Sequence, residues 1–562
     1  MHDVLALWAA ALAAYLLLGC AASAQELAFD GFPFSIPYDG LVEGTAPALL
    51  AQLDAPAGAE GFVQVQGDDF VLADTGKPIR FWATNLSITG CFPPHEVAER
   101  MARRMATLGI NCARMHFIDA AGYPRGIWDA EGWADFEHKG FHPEALDRLD
   151  YLIAKLKENG VYTNINLHVA REWSPQDGFP EVGEGESLPR LGKGVSFFHP
   201  RAVDEQKRYA QMLMGHVNAY TGLAYAEEPA IAMVEITNEN GLLSVWFGSG
   251  GSLDDLPQPY TDELQRRFNA WLQGPYASTE ELKVAWAEGE IIGSDEDLIP
   301  MAPYMQVEGT AEATLTEQAG PDRLVHTVRV QAQSDEAWHT QLLWRPVAVE
   351  GGVPYALKLR MRASRREQVH VSCGQNHDPW GSLGLYQTVT VGPEWRDYAF
   401  YFPATVGDAP DAAGQGGARV SVSGLAKAGL EFQVADVSLT KAAVTGLLAD
   451  EELGGVGWVR RRYWGRRTEA FRLDVVRFLR DTEVGFYRDI VAYLKDDVGC
   501  RMPITGTAIG NTPPHVAAET VDFLDSHNYW QHPHFPRRPW DREDWFVQNK
   551  AMVDDPQGST LT

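Results

Sequence analysis

Asn238 and Glu239 follow Ala230–Ile236, a short run of apolar and β-branched residues that ends abruptly in polar ones. Such a run is typical of a buried parallel strand that delivers side chains to a site at its carboxyl end, where (β/α) barrels carry their catalytic groups. A carboxyl group beside an amide that can hydrogen-bond a hydroxyl suits a general acid for glycoside cleavage. Taken alone, the tripeptide 238–240 fits a helix cap or a solvated loop acid better, so the surrounding elements must decide.

Strand and helix patterns alternate on both sides of this tripeptide. The helical stretches place apolar residues on one face, as at Val97, Met101, Met105 and Leu108, and the strands between them are short and apolar. Strand, helix, strand at this spacing indicates parallel βαβ units. The predicted barrel strands are 79–85, 110–117, 161–168, 230–236, 502–507 and 521–529.

The period of the pattern changes to two between about residues 305 and 441. Short alternating strands separated by Gly, Pro and Asp turns predict an all-β sandwich there. The fold class is therefore α/β, a (β/α)8-type barrel that is incomplete, with about six strands, and carries an inserted all-β sandwich. Residues 60–300 form the first part of the barrel in this interpretation, and residues 445–562 form the second.

The strand ends carry a set of residues that resembles clan A glycoside hydrolases, the (β/α)8-barrel enzymes that include family 5 cellulases and mannanases. The resemblance covers about residues 60–300 and 445–562. Most members have Pro after the strand-four Asn-Glu pair, where this chain has Asn240. The matching positions are Arg114 after strand two, His168 after strand three, Asn238-Glu239 after strand four and His527-Asn528-Tyr529 after strand six.

The resemblance implies a role for each of these residues. Glu239 would protonate the leaving oxygen and then act as base toward water, which requires a raised pKa. Tyr529 and Arg114 would hold a second carboxylate in its ionised form, while His168 and Asn238 would hydrogen-bond sugar hydroxyls. A structural ion pair remains the alternative for Arg114, and a satisfied buried histidine remains the alternative for His168 and His527.

The second carboxylate of the clan, a nucleophilic Glu after strand seven, has no counterpart in the sequence. Six strands precede the last residue, and Glu543 lies in a polar run rather than at a strand end. We therefore expect a C-terminally truncated barrel with an exposed edge after strand six and little hydrolysis by this chain. The intact parent would be a retaining enzyme acting on a β-linked polysaccharide or oligosaccharide.

Tryptophans follow several predicted barrel strands and also lie in the sandwich. Stacking on sugar rings and simple packing are equally open for each of them. The sandwich resembles jelly-roll carbohydrate-binding modules, with a purely structural module as the alternative. The barrel candidates for substrate binding are Trp173, Trp246, Trp530 and Trp540, and the sandwich tryptophans are Trp338, Trp344, Trp380 and Trp395.

The composition limits the classes of ligand that the protein is expected to bind. The net charge of -29, with 47 basic and 76 acidic residues, argues against nucleic acid, since phosphate binding needs a basic face. The four cysteines after residue 20 match no zinc or redox motif, and we expect neither a metal nor a cofactor. A non-catalytic carbohydrate-binding protein is the alternative to a hydrolase.

The N-terminus predicts export. Leu5–Leu18 is an apolar run too short for an ordinary membrane span, and Ala22-Ser23-Ala24 resembles a signal-peptidase site, so residues 1–24 are predicted as a signal peptide. Leu17-Leu18-Gly19-Cys20 also resembles a bacterial lipobox, with Cys20 as the lipid anchor. The expected location is secreted, periplasmic or outer-membrane lipoprotein.

Overall fold

The computed structural model describes residues 53–129, 140–183, 188, 192–247, 253–299, 302–319, 324–527, 533–538, 541–548, 550–551 and 553–554. The predicted signal peptide, Cys20, Tyr529, Trp530 and Trp540 lie outside these residues. Within the described part of the chain, no helix is both long and apolar enough to cross a membrane.

A parallel sheet of five strands forms the framework of the α/β part. Its spatial order is β18-β7-β6-β5-β4, so consecutive barrel strands are neighbours. Two further short strands pair in parallel with each other, Ala508 opposite Asp525 and Ile509 opposite Ser526. The strands are Ala83–Ser87 (β4), Cys112–His116 (β5), Tyr162–His168 (β6), Ile231–Thr237 (β7), Ile504–Thr505 (β18), Ala508–Ile509 (β19) and Asp525–Ser526 (β20).

Barrel closure is not seen among the described residues. There, β4 pairs with β5 on one side, and the sheet order places no strand on its other side. Residues 533–538 and 541–548 contribute one isolated antiparallel bridge, His534 to Phe546, and Glu543 is exposed in a bend. The described strands therefore form an open parallel sheet of five strands, and β20, in the place of the predicted sixth strand, pairs with β19 outside that sheet.

Amphipathic helices cover the outer face of this sheet. Their buried residues share one core with the strands, and the residues after the sandwich belong to the same core as those before it. The helices are His95–Thr107 (α1), Pro143–Glu158 (α2), Val195–Phe198 (α3), Pro200–Met214 (α4), Leu242–Phe247 (α5), Gln258–Leu272 (α6), Thr279–Trp286 (α7), Glu469–Ala492 (α8) and Pro514–Ala518 (α9).

The sandwich has its own core and two antiparallel sheets of five strands, ordered β15-β12-β17-β10-β9 and β14-β13-β16-β11-β8. Alternate residues of each strand face that core, as the period of two predicts. The strands are Tyr304–Val307 (β8), Glu312–Ala319 (β9), Leu324–Ala332 (β10), Thr340–Val347 (β11), Pro354–Ala363 (β12), Glu367–Gln375 (β13), Ser382–Val391 (β14), Arg396–Pro403 (β15), Ala418–Ser423 (β16) and Glu431–Lys441 (β17).

Several boundaries differ from the sequence-based prediction. Pro78–Ile79 (β3) does not begin the first barrel strand but pairs antiparallel with Asp69–Leu72 (β2), which in turn pairs with Val63–Gln66 (β1). The predicted sixth strand shortens to β20 because Asp522 turns its carboxylate back onto the N–H of Ile504, at 2.8 Å. A side-chain contact of this kind has no periodic signal in the sequence.

Candidate functional site

Glu239 lies directly after β7, on the side of the sheet where the carboxyl ends of the parallel strands meet. Its backbone is left-handed, with φ of +45°, a conformation that costs a non-glycine residue energy and needs local support. Lys193 gives part of that support, because its Nζ donates to the Glu239 carbonyl at 2.7 Å. The side chain is 31% exposed, so the carboxyl group is accessible to a ligand.

A polar network stands on the inward face of the sheet beside Glu239. Arg114 of β5 donates from Nε and Nη2 to Glu235 Oε2, at 3.0 and 2.6 Å, and Nη2 also donates to Asn238 Oδ1 at 2.9 Å. Asn166 of β6 donates from Nδ2 to the same Glu235 oxygen. The network fixes the amide of Asn238, since its oxygen is held by a charged donor.

His527, which follows β20, contacts Glu239. Its Nδ1 lies 3.0 Å from Glu239 Oε1, and its Nε2 lies 3.4 Å from Asp525 Oδ2. The structure therefore brings together Arg114, Asn238, Glu239 and His527, four of the six residues predicted from the strand ends. Tyr529, the fifth, lies outside the described residues.

The charges of this cluster differ from those of free side chains. Burial, with the nearby charge of Arg114, lowers the pKa of His116 to about 4, so that ring is neutral at pH 7. Burial raises the pKa of Glu235, although its hydrogen bonds from Arg114 and Asn166 act against that rise. The hydrogen bonds of His527 to Asp525 and then to Glu239 raise its pKa to about 9, so His527 is cationic at neutral pH.

His168, the sixth predicted residue, lies apart from the Glu239 carboxyl group. Its ring is 4% exposed and stacks on Trp173, and its Nδ1 is 3.6 Å from Asp119 Oδ2. The backbone carbonyl, not the ring, faces the site, accepting from Asn238 N at 2.9 Å. His168 is therefore a buried histidine, which was the alternative to a sugar-binding role. Its Nε2 lacks a partner among the described residues.

Asn240 joins the Glu239 turn to two neighbouring segments. Its N–H donates to Thr507 Oγ1 at 3.1 Å, and its Oδ1 accepts from Gly194 N at 3.1 Å. Its Nδ2 donates to Ser196 Oγ at 2.9 Å and to Thr237 Oγ1 at 3.3 Å. A proline at this position would lose all of these bonds, so the fold has a structural reason for asparagine here.

The two described barrel candidates for substrate binding, Trp173 and Trp246, are buried. Trp246 is fully buried against Trp458 and Trp464, with ring centroids 5.1 and 5.6 Å away. Trp173 is 8% exposed, and a Cβ on Gly192 would lie 1.9 Å from its Nε1, so Gly192 is required beside that ring. Neither ring has an open face of the kind that stacks on a sugar.

Glu235, Asp525 and His527 each offer one ligand atom, and the three atoms lie within 4.8 Å of one another. The oxygen Oε2 of Glu235 is already held by Arg114, and both nitrogens of His527 already face carboxylates. A divalent cation would have to displace the proton of a cationic imidazole beside a guanidinium. The chemistry of the group therefore fits a hydrogen-bond network better than a metal centre.

Four residues of the network were missed from the sequence. Glu235 and Asn166 carry a signal that could have found them, since a polar residue within an apolar strand must be paired where it is buried. Asp525 is two residues before His527 and so shares its side of the strand. Lys193 has no such signal, because it lies on a loop whose path only the fold determines.

Comparisons with known proteins match parts of this chain. No protein-family model matches the sequence. A putative mannan endo-1,4-β-mannosidase from Oryza sativa subsp. japonica is 23% identical over 205 residues, which are 35% of this chain and 39% of that protein. The chain thus spans about two-fifths of the length of that curated relative.

The solved structures that match parts of this chain do so with low TM-scores. An endo-1,4-β-mannanase from Rhizomucor miehei is 18% identical, covering 39% of this chain and 58% of that one, with a TM-score of 0.27. An endo-β-1,4-mannanase from Thermotoga petrophila is 22% identical, covering 35% and 40%, with a TM-score of 0.23. A structure described as CBM4 is 23% identical, covering 23% of this chain and 92% of that one, with a TM-score of 0.20.

Proposed function

We propose that the chain is the catalytic part of a glycoside hydrolase that acts on a β-linked polysaccharide, with Glu239 as its general acid and base. One observation carries the proposal. An accessible carboxyl group at the end of the fourth parallel strand lies beside Asn238, held by Arg114 from strand two, and beside His527 from strand six. The sequence similarity to a mannan endo-1,4-β-mannosidase favours a β-mannan as the first substrate to try.

Asn238 would orient the sugar. Because its Oδ1 accepts from Arg114, the Nδ2 group is the part of the amide that remains to donate to a sugar hydroxyl. A hydrogen bond to the 2-hydroxyl that strengthens as the oxocarbenium ion forms would lower the barrier. Glu239 would protonate the leaving oxygen and then deprotonate the attacking water.

We infer that the reaction is retaining and that its nucleophile is neither Glu235 nor Asp525, the two other carboxylates of the described site. The open edge of β4 among the described strands leaves room for further strands. Glu235 is a poor nucleophile, because it is fully buried and its Oε2 is bound by Arg114 and Asn166. Asp525 faces His527 in the described site and is committed to that ion pair.

Azide tests this inference directly on the 562-residue chain. The small anion can occupy the space of an absent nucleophile and attack an aryl β-mannoside from the opposite face, so we expect azide to raise turnover and to give the α-glycosyl azide. A β-glycosyl azide would show instead that the acid and base is the missing group. Full turnover without azide would show that residues 1–562 contain the nucleophile.

The role of Glu239 is tested by measuring the turnover of β-mannan, β-glucan and xylan by Glu239→Gln in the presence of azide. We expect at least about a 100-fold loss on the polysaccharide, whose leaving group needs a proton. Glu288→Gln, an exposed glutamate in a turn after α7, is the matched control and should keep full turnover. Undiminished turnover by Glu239→Gln would remove this residue from the mechanism.

Carbohydrate binding by the sandwich is a second candidate function. Strand pairing places Tyr386, Ser372, Ser421, Leu343 and Tyr304 in one row across the outward face of a single sheet. Tyr386 and Tyr304 are more than half exposed at the two ends of that row. Two exposed aromatic rings on one face of a sheet suit stacking on sugar rings.

Trp380 adjoins this face, because Arg419 on the neighbouring strand lies 5.0 Å over its ring, and it is 54% exposed. Trp344 lies in the sandwich core, and Trp395 contacts Arg362 of the opposite sheet. We expect Tyr386→Ala and Trp380→Ala to weaken retardation in glycan affinity gels at least about fivefold, while Trp395→Ala keeps it. Equal retardation of all variants would make the sandwich a structural module.

Export remains a proposal that rests on the sequence of residues 1–24 alone. Expression in a bacterial host, followed by fractionation and mass spectrometry of the mature N-terminus, distinguishes a free exported protein from a lipoprotein. A mature chain that begins at Gln25 would indicate free secretion or a periplasmic location. A lipid on Cys20, lost in Cys20→Ser, would indicate an outer-membrane lipoprotein.

A further inference from the structure

The two ring nitrogens of His527 both face carboxylate oxygens. Nδ1 is 3.0 Å from Glu239 Oε1, and Nε2 is 3.4 Å from Asp525 Oδ2. A neutral imidazole carries one N–H and one lone pair, so between two ionised carboxylates one of these contacts would set a lone pair against an anion. The imidazolium carries two N–H groups and satisfies both contacts, which makes it the form that this geometry selects.

We propose that Asp525, His527 and Glu239 form a proton relay in which His527 stores the proton that Glu239 delivers, and in which Asp525 is the positioning residue that keeps His527 charged. The relay deepens the proposed glycoside hydrolysis and rests on it for its catalytic meaning. Asp525 is suited to this role because its Oδ2 lies 3.4 Å from Nε2 of His527, the ring nitrogen that does not face Glu239.

The relay removes a conflict in the site. A cationic His527 beside Glu239 favours the carboxylate, whereas a general acid must hold a proton when the leaving oxygen needs it. In the relay, the Nδ1–H bond breaks as the Oε1–H bond of Glu239 forms, and that proton passes to the leaving oxygen as the C–O bond breaks. His527 is then neutral and Glu239 is again a carboxylate.

The second half of the reaction restores the starting state. Glu239 takes a proton from the water that attacks the anomeric carbon, and this proton returns from Oε1 to Nδ1. The leaving group has gained one proton and the relay has regained one from water, so the balance closes without any other reactant. The same pair thus serves as acid and base with its charge unchanged over one cycle.

The other charged groups around His527 favour its cationic form. Glu235 of β7 adds negative charge toward the ring, while Arg114 of β5 acts on Asp525 and helps to keep that carboxylate ionised. His116 of β5 is the remaining titratable neighbour, and burial keeps it neutral at pH 7. The bonds of His527 to Asp525 and Glu239 raise its pKa to about 9.

Nitrogen NMR of the protein with 15N-labelled histidine tests the relay without any need for turnover. The His527 signals are identified by their loss in His527→Gln. We expect both ring nitrogens of His527 to show the imidazolium shifts at pH 7 in the unmodified chain. We expect the isosteric Asp525→Asn to lower the midpoint by more than about one pH unit, a tenfold change in the ionisation constant.

Glu239→Gln should lower the midpoint as well, and Asp489→Asn on α8 should leave it unchanged. A single neutral tautomer of His527 at pH 7 in the unmodified chain would overturn the proposal, as would an Asp525→Asn midpoint equal to that of the unmodified chain. Because these readouts are ionisation states, they stand or fall separately from the azide-dependent turnover that tests the proposed hydrolysis.

Discussion

Arg114 and Glu235 form a buried ion pair that spans β6, with two guanidinium nitrogens donating to one carboxylate oxygen at 3.0 and 2.6 Å. The Arg114 side chain is 13% exposed and that of Glu235 is 1% exposed. The pair therefore ties the second and fourth parallel strands together under the site and orients Asn238 at the same time.

Removal of Arg114 should destabilise the chain strongly, because Glu235 would remain buried without its partner. We expect Arg114→Met to cost about 3–5 kcal/mol in the free energy of unfolding, measured by urea denaturation. The double variant Arg114→Met with Glu235→Leu should recover much of that loss, since neither charge is left alone. Arg488→Met, which breaks an exposed pair with Glu519, is the control and should change stability by less than about 0.5 kcal/mol.

Position 240 should not tolerate proline. Asn240→Pro removes the donor to Thr507 and the side-chain bonds to Gly194, Ser196 and Thr237, in a residue that is 1% exposed. We expect a loss of at least about 2 kcal/mol in thermal or urea unfolding, because several buried polar groups lose partners. Thr507→Val, which removes only the acceptor, should cost less, and equal stability of Asn240→Pro would mean that the turn is not held by these bonds.

Hydrophobic periodicity predicted which strands are neighbours, but it did not predict contacts that depend on single polar side chains. Hydrophobic runs located β5, β6 and β7 to within two residues, and hence the cluster of Arg114, Asn238 and Glu239, because a buried parallel strand is mostly apolar. The positions of the His168 and Trp173 rings were harder to predict from the sequence. The chain after β6 turns toward Asp119, which accepts the N–H groups of residues 169–171. A buried aspartate that binds three backbone donors leaves no pattern of its own.

Asp525 and Glu235 show the second limit of sequence reasoning. Each is one polar residue in or beside a strand, and its importance comes from a partner more than 100 positions away or from a ring two residues on. The predicted strand over 521–529 contained Asp525 and His527 two residues apart, but it did not give the register of this strand against its neighbour. Only the pairing of Asp525 with Ala508 sets that register.

Trp246 should behave as a core residue and not as a sugar-stacking one. It is fully buried between Trp458 and Trp464, so we expect Trp246→Ala to cost about 3–5 kcal/mol in urea unfolding through the lost packing and the cavity. Trp380→Ala, at a ring that is 54% exposed, is the comparison and should change stability by less than about 1 kcal/mol. A stable Trp246→Ala variant with weakened glycan binding would reverse this assignment.

Glu483 should give the chain a stability that falls as pH rises. This buried residue of α8 accepts the N–H groups of Leu242 and Leu243 at 3.2 and 3.4 Å, so it caps the helix that follows the Glu239 turn. Burial raises its pKa from 4.5 to about 7. Between these values the folded chain binds the proton and the unfolded chain releases it, so unfolding becomes easier as pH increases from 4.5 to 7.

Glu483→Gln is neutral at every pH and keeps an oxygen that can accept from Leu242. Its stability relative to the unmodified chain should therefore rise by about 3 kcal/mol between pH 4.5 and pH 7 and stay constant above pH 8, in urea unfolding at each pH. Other carboxylates titrate in both proteins and cancel in the difference, and Glu288→Gln should show no such divergence. Parallel stability curves for Glu483→Gln and the unmodified chain would mean that Glu483 is ionised in the fold, and that the helix after Glu239 is capped by a charge.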